Sequence, residues 1–111
     1  MKLTNPTKVQ LDAAFTRYVV KENCQAVQLG GNYFTPDGQP YRFTPYSRSL
    51  DAVRPWMEKK CVVRYSAMTG WMWEIIAWDE TGKSHCCTNE SFPLAIVVAL
   101  LKAHGVEVEF T

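Results

Sequence analysis

A strand candidate, Trp71 to Trp78, leaves this chain few folds to choose from. Read with a period of two, it places Trp71, Trp73, Ile75 and Ala77 on one face and Met72, Glu74, Ile76 and Trp78 on the other, so both faces are largely apolar. A strand of that kind belongs at the centre of a sheet covered on both sides. Cys61 to Ser66 and Lys83 to Thr88 flank it as further strand candidates, and Met68-Thr69-Gly70 and Asp79-Glu80-Thr81-Gly82 supply the turns. Three strands joined by short turns predict an antiparallel meander.

The layers to cover it are sought in the helices. Leu11, Ala14, Phe15, Tyr18 and Val19 recur at three-and-four spacing and predict a helix over Lys8 to Asn23. Thr7 with Gln10 forms its capping box, or Asn5-Pro6 caps it instead. A second helix spans Ser49 to Lys60, with Leu50, Val53, Trp56 and Met57 on one side; Pro55 predicts a short helix with a distorted start. The last begins near Ser91 with Pro93 in its first turn and stops at Lys102-Ala103-His104-Gly105. Because Leu94 to Leu101 is apolar all round, one side must cover the sheet and the other the first helix or a second subunit. Residues 24 to 47 form an aromatic loop region broken by Gly and Pro, with a small irregular hairpin of Asn32 to Thr35 and Pro40 to Phe43. The tail Val106 to Phe110 alternates as an edge strand would. The expected fold is therefore a single α+β domain over residues 1–111. Its three-stranded antiparallel meander is flanked by helices as an α/β/α sandwich, in the order helix, loop or hairpin, helix, three strands, helix.

Composition removes several function classes. In 111 residues, 12 Lys and Arg stand against 11 Asp and Glu, and no basic cluster exceeds Lys59-Lys60, which argues against nucleic-acid binding. The first residues carry no apolar signal segment, and Leu94 to Leu101 falls short of the roughly 20 residues a membrane span needs. A cytoplasmic location with free thiols at Cys24, Cys61, Cys86 and Cys87 is expected. Cys86 and Cys87 are adjacent on a strand and point to opposite faces, so no metal site is expected. Neither GxxxxGK[ST] nor GxGxxG occurs, so no nucleotide-type cofactor motif is present and no cofactor is expected. His85 and Cys87 share a strand face, yet no thiol-enzyme motif surrounds them, and His104 is accounted for by its place at a helix C-terminus. No catalytic constellation assembles from the sequence.

Phe43-Thr44-Pro45-Tyr46-Ser47-Arg48-Ser49-Leu50-Asp51-Ala52, a short helix, Gly70-Trp71-Met72-Trp73-Glu74, and Ser91-Phe92-Pro93-Leu94-Ala95-Ile96 with Ala99-Leu100-Leu101 and Gly105 follow one another in this chain. That order resembles the phage ABA-sandwich domain proteins and the NinX-like small phage proteins, and covers most of the chain. The resemblance implies a compact helix-and-sheet sandwich encoded by a phage or prophage, and carries over no catalytic residue.

Large amphipathic side chains remain to be explained. Four Trp and five Tyr are many for one small core; Trp71 and Trp73 either fill that core around the sheet, or the surplus serves an interface, since Trp, Tyr and Arg are the residues that anchor protein interfaces. With the resemblance, this leads to a non-enzymatic accessory protein that binds and modulates a host protein, such as a component of a bacterial defence system. The binding residues expected are Tyr33, Tyr41, Arg42, Phe43, Tyr46 and Arg48. The alternative is an oligomer that sequesters a small ligand, a nucleotide, through aromatic stacking and Arg42. Surplus apolar surface on Trp71 to Trp78 and Leu94 to Leu101 also predicts a homodimer, with the tail pairing across its twofold axis.

Overall fold

The computed structural model describes residues 2–22, 25–30, 32–66 and 72–111, with 58–66 as backbone. Cys24, Gly31, the turn Met68-Thr69-Gly70 and Trp71 lie outside the described residues.

The first helix, α1, runs Lys8–Phe15 and continues as a π-helical turn over Thr16–Val20. Its start is fixed by the capping box: Thr7 Oγ1 accepts from the Gln10 N–H and Gln10 Oε1 accepts from the Thr7 N–H. Lys21, at φ 61°, takes the left-handed conformation and ends the helical run short of Asn23. Helix α2, Leu50–Lys60, holds Pro55 in its interior without a break. Val53 is buried and Leu50, Trp56 and Met57 pack on the core. Pro55 lies on the exposed side, where the carbonyl freed by its missing N–H meets solvent.

Helix α3, Phe92–Ala103, is the centre of the molecule, and every residue from Leu94 to Leu101 is buried. A helix apolar all round has to be surrounded. The strands β4 (Cys61–Ser66), β5 (Met72–Trp78) and β6 (Ser84–Asn89) pair antiparallel in that order, and α3 packs on β5 and β6. Trp73, Ile75 and Ala77 meet the core, with the Trp73 ring stacked on Phe92 at 4.2 Å. Helices α1 and α2 pack on α3, and among the described residues neither packs as extensively on the sheet.

The expected architecture, one meander between two helix layers, is therefore corrected. The order of layers is sheet, α3, then α1 with α2, so all helices lie to one side of β4, β5 and β6. The strands also do not form one sheet. The tail strand β7 (Glu107–Glu109) pairs parallel with β1 (Lys2–Thr4), and β2 (Val27–Leu29) pairs antiparallel with β3 (Asn32–Phe34), each as a separate two-stranded sheet. Asn32 to Phe34 thus takes Val27 to Leu29 as its ladder partner, and Pro40 contributes a single bridge to Phe34. The physical reason is the choice open to α1 and α2. Their apolar sides meet the far side of α3, which is as apolar as its sheet side, while the outer face of β5 carries Glu74 among half-buried Met72 and Ile76 and ends in the exposed Trp78. Among the described residues no helix is long and apolar enough to cross a membrane.

Candidate functional site

Residues 41–48 form an irregular segment lying against the first turns of α1 and held at both ends. At its start the Tyr41 N–H donates to the Tyr33 carbonyl at 2.9 Å, beside the Phe34 to Pro40 bridge. Near its end the Ser47 N–H donates to Asp12 Oδ1 at 2.7 Å, and the Arg48 N–H donates to the Pro45 carbonyl at 3.1 Å. Asp12 belongs to α1 and is 1% exposed. Burial raises its carboxyl above the ordinary aspartate range, against the pull of the Ser47 hydrogen bonds and the positive charges of Arg48 and Lys8.

Between segment and helix lies a cleft of about 330 Å³, lined by Val9, Asp12, Tyr41, Arg42, Phe43, Pro45 and Arg48. Of the residues expected to bind, the fold brings Tyr41, Arg42, Phe43 and Arg48 together here. Tyr33 stands behind them, its ring edge-on to Phe43 at 5.1 Å, and Phe43 is tilted against Tyr41 at 4.7 Å. Tyr46 goes elsewhere: it is buried with its ring 4.6 Å from Phe15, a core residue that also meets Trp56 edge-on. Arg42 and Arg48 are exposed, and among the described residues neither has an ion-pair partner. Such a cleft offers two guanidinium forks, two fixed aromatic rings and a buried acceptor, an arrangement suited to binding.

Asp12 was not legible as a site residue. Its one sequence signal is a carboxylate set between Leu11 and Ala13 in an apolar run.

A larger groove of about 490 Å³ lies at the C-terminal end of α3, lined by His85, His104, Asp79, Lys21 and Lys102 among others. Asp79, His85, Lys102 and His104 are engaged in holding the frame. Asp79 Oδ2 lies 2.8 Å from His85 Nε2, while Asp79 Oδ1 accepts from the Thr81 N–H and hydroxyl and from the Lys83 N–H, closing the β5 to β6 turn. The His85 hydrogen bond, then that of Thr81, holds the Asp79 carboxyl well below its usual range. His104 Nδ1 caps the Leu100 carbonyl at 2.8 Å, and Lys102 Nζ donates to the Cys86 carbonyl at 3.0 Å. The Cys87 thiol is buried and pushed up to about 11 by desolvation, so it is not poised as a thiolate beside His85. Among the described residues no three His, Cys, Asp or Glu gather as metal ligands would.

No family model and no curated protein matches the chain. Among solved structures it is similar to a phage protein from Bacillus cereus ATCC 14579, with a TM-score of 0.67 at 11% identity over 93% of this chain and 92% of that one. At that identity the two share a fold over nearly their whole lengths. The likeness thus reaches a phage protein, without a family model for the ABA-sandwich or NinX-like groups.

Proposed function

We propose that this chain is a phage or prophage accessory protein that binds a host-cell protein, without catalysis, through the cleft of Tyr41, Arg42, Phe43 and Arg48. The observation that carries the reading is that convergence. Exposed arginines and fixed aromatic rings, separated in the sequence from any core pattern, form one continuous surface beside a buried carboxylate. Aromatic and Arg side chains grouped in this way dominate the energetics of protein interfaces. The shared fold with a phage protein supports the setting, and a host defence component is the target class that setting favours.

Affinity capture from bacterial lysate with the intact chain and with an Arg42→Glu, Arg48→Glu pair tests it. A host protein enriched by the first and lost from the second, with circular dichroism unchanged, is the expected result; enrichment indifferent to the substitutions would move the interface elsewhere. A second reading has its own support, because rings beside two guanidiniums and a buried acceptor also suit a nucleotide. A thermal-shift panel of nucleotides and cyclic nucleotides separates the two: a raised melting temperature selects the nucleotide.

A further inference from the structure

The distribution of charge in the cleft narrows what its occupant must be. Its deepest polar group is the buried Asp12 carboxylate, while both cations, Arg42 and Arg48, stand exposed at the rim. An acidic group driven to the floor would meet Asp12 and lose its water, whereas one left at the rim meets an unpaired guanidinium in solvent. Beside Asp12 the lining is apolar and aromatic: the half-buried Tyr41 and Phe43 with the exposed Val9 and Pro45. At about 330 Å³ the cleft lies near the lower end of ligand-sized pockets, which is room for one large side chain. The rings are already packed against one another and against Tyr33, and the segment is tied down at Tyr41 and Ser47, so little freedom is lost when something docks.

Resting on the protein-binding reading above, we infer that the occupant is a partner segment presenting one aromatic or large aliphatic side chain flanked by carboxylates. The apolar side chain enters between Tyr41, Phe43 and Val9, and the flanking carboxylates pair with Arg42 and Arg48. This arrangement has an apolar centre and a charged rim, the anatomy of a protein interface in miniature.

The probe is a short fluorescein-labelled peptide with a central phenylalanine between glutamates, read by fluorescence anisotropy against the intact chain. Two control peptides carry lysines for the glutamates, or glycine for the phenylalanine. The acidic peptide is expected to bind about tenfold or more tightly than either control, with affinity falling as salt is raised. The Arg42→Glu, Arg48→Glu pair is expected to reverse the preference between glutamate and lysine peptides; an Arg42→Gln, Arg48→Gln pair, expected to abolish it, serves if the reversal disturbs folding. Equal binding of the acidic and basic peptides, or a preference that survives both substitutions, overturns the inference. So does binding of ATP at this cleft with no peptide bound. If capture of a host protein depends on the two arginines while none of the peptides binds, the acid-flanked chemistry is wrong and the host-protein reading stands. If the acidic peptide binds as described and no host protein is captured, the reverse holds.

Discussion

Asp12 ties the candidate cleft to the core, and its carboxylate does so against its own desolvation. Asparagine keeps an oxygen for the Ser47 N–H and sheds the charge, whereas alanine leaves that N–H buried without an acceptor. Asp12→Ala is therefore expected to lose about 1–3 kcal/mol in urea unfolding, and Asp12→Asn far less. The pH dependence has a definite sign. A carboxyl whose folded pKa lies above its unfolded value of 3.8 holds more protons when folded, so its contribution is most favourable below 3.8 and is lost as pH rises through the folded value. The stability of Asp12→Asn relative to the unaltered chain should accordingly improve over that rise and then level off; an unchanging difference would show that the carboxyl is not raised. Four cleft residues were legible because Pro36, Gly38, Pro40 and Pro45 free Tyr41, Arg42, Phe43 and Arg48 from any helix or strand face. Tyr46 was misplaced for the same reason: in a stretch without periodicity nothing distinguishes a ring that turns inward. The burial of Asp12 depends on a donor 35 residues away, and a local pattern carries no trace of it.

At the scale of elements, the end of α3 shows how a helix stop becomes a junction. Gly105 sits at φ 86°; its N–H donates to the Lys102 carbonyl at 3.1 Å and the Val106 N–H donates to the Leu101 carbonyl at 2.9 Å, the paired bonds of a Schellman motif. Nothing lies within 4 Å of where a Cβ would stand, so the barrier to another residue is backbone conformation alone. Gly105→Ala should cost about 1–2 kcal/mol by thermal or urea unfolding, with no repacking visible in the near-ultraviolet spectrum. This stop was readable because Lys, His and Gly follow an apolar run, just as Thr7 and Gln10 announced the start of α1. What the sequence left open was the choice of neighbours. Period-two apolarity in Trp71 to Trp78 looks the same whether a helix covers both faces or one, and α1 and α2 find on α3 an apolar surface nearer to them in the assembled chain. Strand β2 carries no sequence signature, because Val27, Gln28 and Leu29 are too few to show a period and all three are exposed.

The whole molecule is closed by the pairing of its first and last strands. Leu3 and Val108 face the core from β1 and β7, Lys2 Nζ meets Glu109 at 2.9 Å, and Asn5 exchanges side-chain hydrogen bonds with Thr111. The tail therefore has its partner within the chain, where pairing across a twofold axis was expected. Truncation after Gly105 removes β7 and the buried Val106 and is expected to lower the melting temperature by roughly 5–10 °C. Light scattering distinguishes this from a seam between copies, which would show a fall in mass at an unchanged melting temperature. Joining residue 2 to residue 107 in one ladder also sets an order of events during translation. Strand β1 is made before α1 and its partner only after α3, so while α1, α2 and the β4 to β6 hairpins can form as they emerge, the β1 edge stays unmatched. That edge is sealed only once synthesis has passed Glu109.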